Sequence, residues 1–222
     1  MAYCCKQFGE YTGVPTYREV NAIVYGVPAL GKTFSPQIDT GIIIKKNQLQ
    51  IIGEYCITNR TSTTEFIIRS SYVRLYMPNN APYNAWWQTG QNDPDHQVAA
   101  IEQGVWYRDN LIANNGSAKD VRTNLGTGVD ETWEWTYNGK ITEDSSSIKI
   151  LNLGTTNDTF KFGKWKIYLG GELVRDYIPC VLNVNTKDWQ NIVRSAGTAG
   201  FWDLVTNQFF SNISIGAPYT AE

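Results

Sequence analysis

Short runs of β-branched and aromatic residues, broken at roughly 8- to 12-residue intervals by Asn, Gly, Ser, Thr or Pro, restrict this chain to an all-β fold. The runs GIIIKK (41–46), LQIIGEYCI (49–57), TEFIIRSSYVRLYM (64–77), GVWYRDNLIANN (104–115), TWEWTYNGKIT (132–142), SIKILNLG (147–154) and FKFGKWKIYLGGELVRDYIPCVLNV (160–184) read as antiparallel strands. Side chains alternate along a strand, so Val73, Leu75 and Met77 are expected in the core and Tyr72, Arg74 and Tyr76 on the other face. Asn138-Gly139, between alternating flanks, is the signature of a type I′ hairpin, and Gly170-Gly171 marks a second tight turn. The best helical candidate is the segment TKDWQNIVR, 186–194. About a dozen short strands with almost no helix predict a sandwich of two sheets.

The chain has 222 residues, a length that suits one large β-sandwich, and its 42% hydrophobic and 13% aromatic content supplies a substantial core. A net charge of −2, with basic residues scattered, offers no footprint for a nucleic-acid backbone. No apolar stretch approaches the roughly 20 residues needed to cross a bilayer, and MAYCCKQFGEYTG does not read as a secretion signal. A non-secreted protein with neither nucleic acid nor membrane as partner is expected. Cys4 and Cys5 are adjacent, and Cys56 and Cys180 are far apart; neither pair has metal-ligand spacing, so a reduced compartment is expected and Cys4 and Cys5 are read as packing residues rather than a redox or metal site. The sequons at Asn59 and Asn157 then mark only polar surface turns.

Four strings resemble a family. FSPQIDTGI (34–42), WTYNGK (135–140), GKWKIYLGGELVRDYIPC (163–180) and AGFWDLVTNQFFSN (199–212) resemble, in order, the signature elements of the concanavalin A-like (LamG-like) domains of virion proteins from gut bacteriophages. The resemblance covers about residues 34–212, and the RDYIP and GFWDLV elements are its specific part. It implies a jelly-roll sandwich of two antiparallel sheets, placed at residues 31–222; residues 1–30 match none of these elements and, rich in Tyr, Gly and Pro at the start with no sustained periodicity, are expected to be an N-terminal arm or first edge strand that anchors the chain. It also implies a homo-oligomer, commonly trimeric in such appendages, on the virion, assembled in the bacterial cytoplasm as a head fibre, capsid decoration or tail-attached module.

The chemistry-bearing residues point to binding rather than catalysis. Residues 78–97, PNNAPYNAWWQTGQNDPDHQ, are expected to form the longest irregular stretch, with Trp86 and Trp87 as anchors for another virion protein or as platforms for a host polysaccharide. Asp93 and Asp95 in the same stretch offer hard oxygen ligands that suit Ca²⁺, although no cofactor is expected, and His96 is read as an exposed loop residue. Trp133 and Trp135 share a face and fit a sandwich interior. Arg175 and Asp203 are expected to form a structural pair, with turn capping by Asp203 as the alternative, and Pro179 to end its strand or lie on a sheet edge. The nearest approach to a glycosidase pair is Asp130 with Glu134, but on one strand their Cα atoms lie roughly 13 Å apart, at about 3.3 Å per residue. Retaining enzymes need carboxyl groups about 5 to 5.5 Å apart and inverting ones about 6.5 to 9.5 Å. A non-enzymatic virion protein is therefore expected, a carbohydrate-binding adhesin being the alternative and a glycan hydrolase the weaker third.

Overall fold

The computed structural model describes residues 15–25, 37–59, 65–77, 84–90, 95–138, 141, 146–152, 159–211 and 219–222. In chain order the strands are β1 (Tyr17–Glu19), β2 (Ile23–Tyr25), β3 (Ile38–Asp39), β4 (Gln48–Asn59), β5 (Glu65–Arg69), β6 (Val73–Met77) and β7 (Asn84–Thr89). There follow β8 (His96–Ala100), β9 (Trp106–Asn114), β10 (Ser117–Asn124), β11 (Val129–Thr136), β12 (Lys149–Asn152) and β13 (Thr159–Leu169). The last are β14 (Glu172–Leu182), β15 (Thr186–Lys187), β16 (Val193–Arg194), β17 (Ala199–Asp203), β18 (Gln208–Phe210) and β19 (Tyr219–Ala221). No described residue is helical.

Two antiparallel sheets face each other. The large one runs β11-β10-β9-β4-β13-β14-β17-β18, and the small one β3-β12-β5-β6-β7-β8. Their inner faces interdigitate around one apolar cluster that includes Leu49, Ile51, Tyr55, Leu75, Trp87, Phe162, Trp165 and Phe201. Val73, Leu75 and Met77 are buried there, as alternation predicts. The architecture is the jelly-roll sandwich that the strand pattern and the resemblance imply.

The N-terminal stretch is part of that architecture as far as it is described. β13 and β14 form a hairpin through Gly170 and Gly171, whose φ values of 58° and 82° suit a glycine turn. Beyond Trp165 and Tyr177 the two strands part. β2 pairs with β13 at Phe160–Phe162, and β1 with β14 at Cys180–Leu182, so residues 15–25 fill the resulting wedge. The boundary expected at residue 30 is therefore not where the sandwich starts; residues 1–14 and 26–30 lie outside the described residues.

Pro179 does not end its strand. It sits inside β14, opposite Phe201 of β17, and its carbonyl accepts the Val20 N–H at 3.1 Å. A strand residue turns its N and C=O to the same side, so the proline nitrogen faces the wedge between the last β13 pair, at Tyr177, and the first β1 pair, at Cys180. No ladder bond is demanded there, which is how an interior strand tolerates a proline.

Three local expectations give way to tertiary context. TKDWQNIVR is the β15–β16 hairpin, because Asp188 caps its turn by accepting the N–H groups of Gln190 and Ile192, both at 2.9 Å. GIIIKK forms no strand; Ile44 is buried, and Ile42 packs against the core while its carbonyl accepts the Ile148 N–H at 2.8 Å. Past Asn138-Gly139, where residues 140 and 142–145 also lie outside the described ones, the next described strand does not return to β11: β11 pairs with β10, whereas β12 pairs with β3 and β5 in the opposite sheet. Gly139 itself lies outside the described residues.

Trp165 of β13 lies closely over its cross-strand neighbour Gly53 of β4. A Cβ on Gly53 would stand 2.0 Å from the indole Cζ3. Gly53→Ala therefore overpacks a buried site and is expected to lower the unfolding free energy by about 1–3 kcal/mol, read from urea denaturation at unchanged m-value.

Candidate functional site

Trp86 and Trp87 are not in a loop. Asn84–Thr89 is β7, an interior strand of the small sheet between β6 and β8. The polar neighbours that suggest a loop are the outward half of an alternating strand, in which Ala85, Trp87 and Thr89 point inward and Trp86 and Gln88 outward. Trp87 is completely buried, so it is available neither to a sugar nor to a partner. Trp86 is half-buried beside Tyr76, its cross-strand neighbour. Asp95, just before β8, is exposed and accepts the Tyr76 hydroxyl; Asp93 lies outside the described residues. His96 opens β8 and is half-buried, its ring stacked on Trp135 at 5.1 Å, a correction to its reading as an exposed loop residue. Cys56 and Cys180 are buried free thiols.

The densest polar chemistry lies in the sandwich interior, at positions the sequence reading passed over. Arg122 of β10 is buried opposite Asp109 of β9 and holds it with two bonds, Nε to Oδ1 at 2.7 Å and a terminal nitrogen to Oδ2 at 3.0 Å. The Tyr55 hydroxyl donates to Asp109 Oδ2 at 2.8 Å, and Arg122 reaches across to the Ala99 carbonyl of β8 at 2.9 Å. The rings of Tyr107 and Trp133 flank the guanidinium, each 5.6 Å from its carbon. Asp120, two residues before Arg122 on the same face, accepts the Trp87 Nε1–H at 2.9 Å. Its other oxygen is buried without a well-formed hydrogen bond, the Asn110 N–H giving only a weak electrostatic contact.

These surroundings set the protonation states. Burial, reinforced by the Asp109 carboxylate, pushes the Asp120 carboxyl up to about 8, so it holds a proton at neutral pH. Burial would lower the Arg122 value, but Asp109 and Tyr55 outweigh it and the guanidinium is held charged. Burial also raises the Tyr55 hydroxyl well above its ordinary value. The cluster is a neutral carboxyl beside a closed ion pair. The signal for it was in the sequence: in WYRDNLIAN and SAKDVRTN, Asp109, Asp120 and Arg122 occupy the same parity as Tyr107, Leu111 and Ala118.

Arg175 and Asp203 meet at the other end of the sandwich. Arg175 Nε stands 3.6 Å from Asp203 Oδ2, close enough for charge attraction but beyond hydrogen-bond range. The guanidinium instead donates twice to the Thr40 carbonyl, at 3.1 and 2.9 Å, and lies over the Phe210 ring at 5.5 Å. Asp203 caps the β17–β18 turn, accepting the N–H groups of Asp176 and Val205 and the Thr206 hydroxyl, while Asn207 takes the left-handed conformation. Thr40 is itself buried, and Gly41, at φ 67°, leaves room for Trp189, which stacks on Phe210. IDTG, RDYIP and GFWDLV, the elements that carry the resemblance, thus converge on one structural node.

A third group lies on the outward face of the small sheet. Lys149 of β12, Arg69 of β5 and Arg74 of β6 are successive cross-strand neighbours, and Gln88 of β7 continues the row. With the serines of the β5–β6 turn and of the segment before β12, the three cations line a cleft of about 330 Å³. Tyr76 and Trp86 stand one step further along the same strands. Among the described residues no cluster of His, Cys, Asp and Glu has the arrangement of a metal site.

No protein-family model matches the chain, and no curated protein matches it. Among solved structures it is similar to tailspike protein 2 of a bacteriophage of Escherichia coli O157:H7, at 12% identity and TM-score 0.49, over 71% of this chain and 27% of that one. It is similar also to alginate lyase A1-II′, of polysaccharide lyase family 7, at 10% identity and TM-score 0.48, over 70% of this chain and 83% of that one. A pentraxin from Limulus polyphemus matches at 12% identity and TM-score 0.46, over 69% of this chain and 77% of that one. The aligned region thus spans about a quarter of the tailspike.

Two experiments test the interior cluster. Arg122→Met strands a buried carboxylate and is expected to cost about 3–5 kcal/mol, while the double variant Arg122→Met, Asp109→Leu recovers much of that loss in urea denaturation. Asp120 has a folded-state value above its ordinary 3.8, so its contribution to stability declines as pH rises from about 4 through about 8 and then levels. The stability of the parent relative to Asp120→Asn should accordingly fall between pH 5 and pH 9, measured by denaturation midpoints at both.

Proposed function

We propose that this chain is a non-enzymatic binding module of a bacteriophage particle, a head-fibre, capsid-decoration or tail-attached subunit whose residues ahead of β1 join it to other virion proteins or to its own copies. The observation that carries the non-catalytic reading is where the ionisable groups sit. Arg122, Asp109, Asp120 and Tyr55 are enclosed between the sheets and committed to one another, which suits a rigid scaffold. Asp130 and Glu134 stand exposed on the solvent face of β11, and Glu134 is tied to Lys119 at 2.8 Å. Neither carboxyl is enclosed in the way that tunes a general acid.

The virion assignment is supported by the four resembling elements, three of which meet in the Thr40–Arg175–Asp203 node. β1 supports the anchoring role: it is hydrogen-bonded into the large sheet beside β14, so a load taken by the residues ahead of it passes into the body of the sandwich. The jelly roll is then a compact body displayed at the particle surface, and homo-oligomerisation is part of the same proposal.

The test is incorporation. Antibody raised against the chain should decorate the exterior of intact particles in immunogold microscopy, and a chain lacking residues 1–14 should fold but fail to join particles in infected cells. Unlabelled particles would overturn the reading, as would release of reducing ends from host capsular polysaccharide by the purified chain.

A further inference from the structure

We propose that the outer edge of β11 is a docking site for an extended, basic segment of another chain, which adds to the large sheet as a further strand. β11 ends that sheet, and its eight residues run in unbroken register on β10, with no proline among them. The other described strands that end a sheet are closed to such an addition. β1, β3, β15, β16 and β19 have two or three residues each. β18 is covered by the β15–β16 turn, where the Trp189 N–H donates to the Phe209 carbonyl at 3.0 Å. β8 shifts register against β7, and its Ala99 carbonyl is taken by Arg122. Short length, bulges and covering segments are the usual ways in which a sheet blunts its edges, and β11 has none of them.

The register tells which groups this edge offers. Asn115 and Gly116, at φ 46° and 91°, form a two-residue turn that makes Asn114 and Ser117 a hydrogen-bonded pair, and the bonding side alternates along an antiparallel strand. Ala118, Asp120 and Arg122 therefore bond to Trp135, Trp133 and Glu131 of β11, an alternation that the Tyr137 N–H continues onto the Gly116 carbonyl at 2.8 Å. The N–H and C=O groups of Asp130, Thr132, Glu134 and Thr136 turn away from β10, where the sheet has no further strand. The side chains set the chemistry of the strand that fits. Glu134 already holds a cation from its other side, Lys119 at 2.8 Å, whereas Asp130 and Glu131 are exposed and their carboxylates form no hydrogen bond or ion pair among the described residues. On the core-facing side Trp133 and Trp135 are half-buried and Val129 is 59% exposed. Lysine or arginine opposite Asp130 and Glu131, and β-branched residues opposite the tryptophans, complement both faces of the edge. A second copy suits it less, because two β11 edges would gather both sets of carboxylates along one seam. The site follows from the pairing of the large sheet and does not depend on the virion reading; its failure would leave that reading intact.

The experiment follows a fluorescein-labelled octapeptide, Thr-Val-Thr-Val-Thr-Lys-Lys-Thr, by fluorescence polarisation against the full chain at low and high salt. In antiparallel register its valines meet Trp135 and Trp133 and its lysines meet Glu131 and Asp130. It is expected to bind about tenfold or more tighter than the same peptide with glutamates in place of the lysines, and to weaken as salt rises. Thr132→Pro removes one outward N–H and leaves the β10 ladder in place, so it should keep the melting temperature and weaken the lysine peptide about tenfold or more. Asp130→Lys, Glu131→Lys should invert the preference toward the glutamate peptide. No binding of the lysine peptide, or binding that both variants leave unchanged, would overturn the site, and equal binding of the two peptides would overturn its charge selectivity. A dimer of the chain alone, seen by light scattering and dissociated by Thr132→Pro, would overturn the assigned occupant in favour of a second copy.

Discussion

The two sheets are held in one alignment by directional bonds that cross an otherwise apolar layer at its two ends. Apolar contact is indifferent to sliding, whereas a hydrogen bond fails within a fraction of an ångström. At one end Arg122 of the large sheet donates to the Ala99 carbonyl of the small one, and Trp87 of the small sheet donates back to Asp120. At the other end Arg175 donates twice to the Thr40 carbonyl beside β3. Each bond has support of its own: Arg122 is fixed by Asp109 and Tyr55, and Arg175 is attracted by Asp203 and covered by Phe210. Two arginines, far apart in sequence, do the same mechanical work.

Much of the sandwich was legible in the residues because strand alternation is a local property. VRLYM told which side faces inward, and Gly170-Gly171 gave its turn, since both depend only on neighbours in sequence. What the sequence concealed was pairing. Asn138-Gly139 has hairpin chemistry, yet the chain after it passes to the other sheet; Pro179 has edge chemistry, yet lies inside the large sheet where one neighbour hands over to the next. In both cases the outcome turned on segments distant in sequence, Arg69 of β5 being 80 residues from its partner Lys149 (149 − 69) and Glu19 of β1 161 residues from its partner Cys180 (180 − 19).

The site residues divide along the same line. Arg175 and Asp203 lie in the elements that carry the resemblance, and their proximity in space follows from the register of β14 on β17. Trp87 was misread because NAWWQT is polar enough to pass for a loop, while its burial depends on Asp120 waiting on the opposite sheet to accept the indole N–H. The basic row escaped notice for a similar reason: Arg69, Arg74 and Lys149 are unremarkable singly and become a feature only when β12, β5 and β6 lie side by side.

The wedge between β13 and β14 has a consequence for how the molecule comes to be. β1 and β2 belong to the first 25 residues but close on strands from the last third of the chain, and β2 is flanked by β19, with Tyr25 opposite Tyr219. Such long-separation pairings pay their loop-closure entropy before any contact rewards it, and they slow folding. A ribosome must have passed residue 221 before the β2–β19 ladder can be completed. The large sheet is therefore completed only once β19 has been made, and until then its edge strand β2 stays open and needs protection from other chains.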